Sequence, residues 1–261
     1  MQADRRVAVI TGAASGVGAA TARMLSAKGY NVLVNYRRSA ELAEQAAADC
    51  VALGADALLV RGDVALDADC VELARRAMER WGRIDALVNS AAITQFVPMS
   101  NLDGVNAEDF QRVFGVNAVG PFQMARAAAK HMQPGSAIVN VSSVAGQTGS
   151  GSSFPYVLSK AALNILTIGL ARNLAPGIRV NAVLPGMIEG RWMREGLGPE
   201  KYEAVKNQFA AAAALGKISQ PEQIASAVCW LLESDSVVTG QLIAVDAGFM
   251  LGRPPSAAGA K

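Results

Sequence analysis

Histidine occurs once in the 261 residues, at His131, and cysteine three times, at Cys50, Cys70 and Cys229. A Ser-His-Asp hydrolase or a His-ligated zinc enzyme would have to be built on that single imidazole. The cysteines are odd in number and follow no metal-ligand spacing, so they read as reduced core residues of a cytoplasmic protein. Charge of one sign is also lacking: the formal net charge is +2 with both signs interspersed. That leaves no basic face for nucleic acid or a membrane surface. No apolar run reaches the length needed to span a bilayer. Polar Met1 to Arg6 leads straight into a strand-like run, so no secretory leader is expected. What is plentiful is small and apolar. Hydrophobic residues make up 51%, rich in Ala and Val, and Gly is frequent, which fits an α/β protein with buried parallel strands.

Strand and helix patterns alternate along the chain with no break in composition and no internal repeat. Arg6 to Thr11 (RVAVIT) is a short β-branched run, followed by Gly12, Gly16 and Gly18 and then a helix from Ala19 to Lys28 closed by Gly29. Glycines after a strand and before a helix suit a tight turn that brings backbone close to a pyrophosphate at the helix N-terminus. Asn31 to Tyr36 is the second strand. No acid stands at its end to accept from ribose hydroxyls; Tyr36, Arg37, Arg38 and Ser39 stand there instead. Arg37 can pair with a 2′-phosphate through charge-assisted hydrogen bonds, with Ser39 nearby as a helix N-cap, so NADP(H) is expected over NAD(H). Asp56 to Arg61 is the third strand, and Asp63 beyond it either takes an adenine amino group or caps the helix from Asp67 to Trp81. Ile84 to Asn89, Ala137 to Val141, Ile178 to Leu184 and Leu242 to Val245 complete the strands. Helices are expected over 103–114, 119–131, from Pro155 to about Leu174, and from Pro221 to Glu233. Residues 187–219 read as an irregular binding loop with a short helix near Lys201 to Gln208, and 252–261 as a fraying tail. The whole is one doubly wound domain over 1–251, with its ligand at the carboxyl ends of the strands.

The stretch from Ile138 to Lys160 carries the chemistry. It passes from a strand through Ser142 and Ser143 into a Gly/Ser loop holding Gly146, Gly149 and Gly151, read as mobile, and enters a helix at Pro155. Tyr156 and Lys160 are four apart and share a helix face. A phenol is a poor proton carrier at neutral pH unless its anion is stabilised, here by the Lys160 ammonium and the helix N-terminus. Ser143 can supply a hydroxyl to a substrate oxygen. Tyr-x-x-x-Lys recurs at Tyr202 and Lys206, with Glu189 where Ser143 would stand, and this second copy reads as a solvated helix face.

Taken together these residues resemble the short-chain dehydrogenase/reductase family, from Val7 to about Leu251. The motifs are Thr11-Gly12-x-x-x-Gly16-x-Gly18, Asp63, Asn89, Asn117, Ser143, Tyr156-x-x-x-Lys160, Pro185-Gly186 and the closing VTGQLIAVDAGF. The resemblance implies a Rossmann-type seven-stranded parallel sheet and a homotetramer. It casts Tyr156 as general acid/base, Lys160 as lowering its pKa and binding the nicotinamide ribose, Ser143 as holding the substrate oxygen and Asn117 as anchoring a water. It extends the cofactor set to Ser15, Val17, Val64, Ala91 and Ile188 beside Tyr36, Arg38, Pro185 and Gly186. Two departures stand out: Ala92 replaces a family glycine after Asn89-Ser90-Ala91, and Gly190 stands where a threonine often contacts the carboxamide.

The implied activity is NADPH-dependent reduction of a ketone, or of a 3-oxoacyl thioester as in 3-oxoacyl-[acyl-carrier-protein] reductases. The alternatives are an alcohol or sugar dehydrogenase, and a non-catalytic NADP(H)-binding regulator. Phe96, Gln147, Phe154, Met187 and Trp192 are expected to border the substrate. Arg126, Lys130 and Arg172 can meet an acidic acyl carrier protein, or serve as ordinary surface charge.

Overall fold

The computed structural model describes residues 5–233 and 237–252. The expected tail from 253 onward lies outside the described residues. Seven strands form one parallel sheet in the order β3-β2-β1-β4-β5-β6-β7. They are β1 (Val7–Thr11), β2 (Asn31–Tyr36), β3 (Ala57–Arg61), β4 (Ile84–Asn89), β5 (Met132–Val141), β6 (Ile178–Pro185) and β7 (Leu242–Val245). The helices are α1 (Gly16–Ala27), α2 (Ala40–Ala52), α3 (Asp67–Trp81), α4 (Ala107–Phe114), α5 (Gly120–Ala129), α6 (Ala145–Thr148), α7 (Phe154–Leu174), α8 (Arg191–Leu197), α9 (Pro199–Ala212) and α10 (Pro221–Glu233).

Strand residues alternate between the two faces of the sheet. Ala8, Ile10, Val32, Val34, Val88 and Val139 enter the core shared with α1, α2 and α10. Val9, Leu33, Leu87, Ile138 and Val180 enter the opposite core with α3, α5 and α7. Both faces are therefore covered, which is why the strands read as continuous apolar runs. Sheet order reverses between β1 and β4, and the crevice at that switch point opens at the strands' carboxyl ends.

Several expectations are revised. The fifth strand begins at Met132, five residues early, with a register irregularity between Ile84 and Ala86 of its partner. The helix expected over 103–114 is a short 3-10 turn followed by α4, which opens with an Asn106–Asp109 capping box. Between α4 and α5 the chain makes a π-helical turn, Gly115–Val119, which holds Asn117. Residues 187–219 are more regular than expected, because α8 and α9 occupy most of them. A parallel bridge between Ile188 and Ser219 ties the base of this segment, so it forms a lid with both ends fixed.

The helix α7, at 21 residues, is long and apolar enough to cross a membrane by length and composition, contrary to the expectation of no such run. Its inner side is nevertheless polar where it meets the sheet. Asn140 donates to Thr167 at 2.9 Å, and Ser142 donates to Asn164 at 2.6 Å and to the Lys160 carbonyl at 3.2 Å. Those bonds fix α7 as a core helix in register with β5.

Candidate active site

A cavity of about 1130 Å³ runs along the carboxyl ends of β1, β2, β4, β5 and β6 to the underside of α8 and α9. One end is built by the turn after β1. Gly12 has φ +64, and a Cβ there would lie 2.7 Å from the Ala91 Cα, so only glycine allows this turn to meet the strand β4 loop. Gly16 has φ +56, and nothing lies within 4 Å of a Cβ built on it; it faces the open cavity with Ser15 and Val17. The first turn of α1 carries no acid, and its cap residue Ser15 makes no side-chain cap bond. Its leading N–H groups are therefore not capped by a side chain, and they suit an anion such as a pyrophosphate.

At the end of β2, Tyr36, Arg37, Arg38 and Ser39 line the same cavity. Arg37 Nε pairs with Asp63 at 2.8 Å, and Asp63 Oδ1 accepts from the Ala65 N–H at 3.1 Å. Asp63 is thus not the cap of α3, whose N-cap position is Leu66. Ser39 does sit at the N-cap of α2, but its hydroxyl makes no cap bond. Two arginines and a hydroxyl on one cavity wall, one arginine paired with Asp63, form a donor set that fits a nucleotide with an extra phosphate.

The chemistry-bearing groups stand at the ends of β5 and the start of α7. Ser153 caps α7 and accepts from the Tyr156 N–H at 3.4 Å, which orients the first turn. The Ser143 hydroxyl stands near enough to the Tyr156 phenol to lower its pKa slightly, and Ser143 Oγ accepts from the Ala145 N–H at 3.1 Å. Lys160 is 2% exposed; its Nζ donates to the Val141 carbonyl at 2.8 Å and stands 5.7 Å from the centre of the Tyr156 ring. Burial pushes the phenol up to about 12, against a smaller lowering by Ser143, and pushes Lys160 down to about 7. The expected depression of the phenol by the ammonium does not prevail here, because burial disfavours both charged forms. At neutral pH the phenol therefore keeps its proton and is placed to donate it.

Not every expected residue reaches the cavity wall. Gly18 packs into the turn, where a Cβ would stand 2.5 Å from the Gly12 carbonyl oxygen. Asn89 is buried and donates to Asn140 at 2.9 Å, holding β4 to β5, while its own Oδ1 has no partner. Asn117 brackets Ile93, accepting from its N–H and donating to its carbonyl, both at 2.9 Å, and donates to Ser159 at 3.0 Å. Ser159 in turn donates to the Tyr156 carbonyl at 2.7 Å. Asn117 therefore positions the loop after β4 against α7, one bond away from the Tyr156 backbone. Gln147 is exposed on α6 and Phe154 only half-buried; neither lines the cavity, whereas Val64, Ala91, Phe96, Pro185, Gly186, Met187, Ile188 and Trp192 do. The Gly/Ser loop is partly helical, and Gly146 is a contact rather than a hinge: a Cβ there would fall 2.6 Å from the Lys160 carbonyl carbon.

Neither departure from the family pattern strains the site. Among the described residues Ala247 is the non-glycine residue with positive φ, so Ala92 is unstrained. Gly190 is extended, φ 164, with open space where a side chain would go. Sequence reading missed Phe209 and Phe249, which stack at 4.7 Å on the cavity's far wall. The Gly198-Pro199 start signal and the spacing of Tyr202, Val205 and Phe209 mark that helix. Arg126, a candidate carrier-protein contact, pairs with Asp67.

A proton-donating phenol, a hydroxyl and a nucleotide cradle in one cleft define an oxidoreductase working between an alcohol and a carbonyl. Known proteins agree. The family model described as enoyl-(acyl carrier protein) reductase matches residues 12–250. A protein assigned as ketoacyl reductase 2 of the granaticin polyketide synthase in Streptomyces violaceoruber is 38% identical over 93% of this chain and 95% of its own. A 3-oxoacyl-[acyl-carrier-protein] reductase of Synechocystis is 35% identical over 94% and 97%. The crystal structure of a short chain dehydrogenase from Burkholderia cenocepacia, in complex with NADP, superposes with a TM-score of 0.86 at 29% identity over 96% of this chain and 100% of that one. The chain belongs to the short-chain dehydrogenase/reductase family, as an NAD(P)-dependent enzyme of the CH–OH/C=O class.

Proposed function

We propose that this enzyme reduces a ketone to a secondary alcohol with NADPH. The observation that carries the reading is that Ser143, Tyr156 and Lys160 line one cleft with the open first turn of α1 and the Arg37–Arg38 pair. When bound, the reduced nicotinamide supplies the hydride to the carbonyl carbon. Tyr156 gives its proton to the carbonyl oxygen, a direction suited to a phenol that stays protonated at neutral pH. Ser143 donates a hydrogen bond to the charge that develops on that oxygen. Lys160, held on the Val141 carbonyl with its pKa pushed down to about 7, stands 5.7 Å from the Tyr156 ring centre, where taking up a proton as the phenolate forms would stabilise that anion. Arg37, Arg38 and Ser39 would hold a 2′-phosphate, and Ser15 to Val17 the pyrophosphate.

Fluorescence titration of NADPH against NADH tests the cofactor, on the wild type and Arg37→Ala. Tighter NADPH binding that is lost in the variant supports the reading; equal binding, or NADH preferred, removes the 2′-phosphate argument. We place the enzyme in the cytoplasm, a reading supported by three buried, unpaired cysteines. A homotetramer is supported by apolar side chains left on the outer sides of α5 and α7, among them Phe122, Leu158 and Ile165. Sedimentation velocity of the wild type and Ile165→Glu tests it, a smaller species in the variant being the expected result.

A further inference from the structure

The helix α8 covers Tyr156 with one face. Trp192 and Gly196 lie four residues apart on it and so look the same way. The Trp192 ring centre is 6.2 Å from that of Tyr156, tilted by 55°, and 6.4 Å from that of Phe96, tilted by 58°. Gly196 provides the seat for Phe96: a Cβ there would come 1.9 Å from Phe96 Cε2. The Phe96 ring therefore lies on bare helix backbone, beside an indole that also meets the proposed proton donor. Trp192 still keeps 46% of its surface exposed, which leaves ring surface for a third flat group.

The rest of this end of the cavity is apolar, with Met187, Met193 and Leu197 on the wall. Most of its charged side chains are engaged, Arg191 with Glu195 at 3.1 Å and Glu189 with Lys206 at 3.0 Å, while Lys201 is exposed and lines the cavity. An anionic substituent drawn under α8 would lose water and meet in return only the solvent-exposed Lys201 ammonium. A flat apolar one would gain offset or edge-to-face contacts with two rings.

Resting on the reductase reading above, we propose that Trp192 and Phe96 are the specificity-determining pair, and that the substrate is an uncharged ketone bearing an aryl or alicyclic group. That group seats against the two rings while the carbonyl oxygen meets Tyr156 and Ser143. Gly196 sets the pair by keeping Phe96 close to the lid.

The test is steady-state kinetics with NADPH on three ketones: 1-tetralone, butan-2-one and 4-acetylbenzoate. The wild type is expected to prefer 1-tetralone. Trp192→Ala lowers kcat/KM for 1-tetralone on the order of 10- to 100-fold and lowers that for butan-2-one by a clearly smaller factor. Trp192→Phe restores most of the preference, and Gly196→Ala, which displaces Phe96, raises KM for 1-tetralone with little change in kcat. NADPH titration and thermal melts of each variant establish that it is folded and loaded. Equal losses on 1-tetralone and butan-2-one, no loss, or a preference for 4-acetylbenzoate overturns the inference while leaving the reductase reading standing. A wild type that binds NADPH but reduces no ketone overturns both.

Discussion

The chain carries Tyr-x-x-x-Lys twice on helices, and the two copies have opposite surroundings. Tyr156 faces the cavity beside Ser143, and its partner Lys160 is buried on a strand carbonyl with its pKa pushed down to about 7. Tyr202 is fully buried, among Met187 and Ile218, with Arg194 stacked 4.7 Å over its ring and no partner for its hydroxyl. This corrects the expectation of a solvated face. Lys206 reaches instead to Glu189, which also takes Gln220 at 3.1 Å. In one copy burial keeps the proton on the phenol that we propose as proton donor; in the other it packs the lid. Spacing puts two groups on one face, and the strand behind the helix decides what they do.

The sharpest way to separate the copies is to remove each hydroxyl. Tyr156→Phe is expected to lower kcat by about 10²- to 10⁴-fold while NADPH titration is unchanged. Full activity in that variant would end the proposed mechanism.

Lys160 offers the next largest effect. Its native pKa near 7 lies below the ordinary lysine value of 10.5. Between those values the unfolded chain binds a proton that the native state does not, so this group makes stability rise with pH across that window. Lys160→Met lacks the rise. The melting temperature of the wild type should therefore climb relative to Lys160→Met from pH 7 to pH 10. A constant difference would mean that Lys160 is charged in the folded protein at pH 7.

Tyr202→Phe should keep kcat and raise stability by about 1 kcal/mol, because it deletes a buried hydroxyl that has no partner; urea denaturation measures it. A loss of stability would reveal a hydrogen bond to that oxygen. Smallest of all is Lys206→Ala. Its hydrogen bond and charge hold Glu189 below the usual carboxylate range, but both side chains are close to a third exposed. The expected cost is small, as for solvent-screened surface pairs, and it should vanish as pH falls through the Glu189 pKa and protonates that carboxylate.

Strands β1, β2 and β4, the glycine turn and the Ser143–Tyr156–Lys160 set could be read from the sequence because each is a local pattern. The places that escaped depend on distant contacts. Whether Asn89 turns to a ligand or to Asn140 is decided by the neighbouring strand. Gly146 looks like loop chemistry until α7 is laid against it. The phenol's high pKa comes from the lid and sheet that enclose it, not from its neighbour four residues on. In the lid only a short helix near Lys201 to Gln208 was legible; α8 was missed, and alanines blur the apolar stripe of α9, which runs from Pro199 to Ala212.

The sheet order has a consequence for how the chain assembles. β1 lies inside the sheet, third from one edge, yet its second partner β4 begins at Ile84, and the far edge closes only when Ala182 meets Leu242. Pairings this distant in sequence are slow to form, since the intervening loop must be ordered first. Until β7 docks, β6 presents an unpaired edge to other chains. Yield on refolding should therefore depend on protein concentration, and a chain shortened before Leu242 should aggregate even though every catalytic side chain precedes the cut.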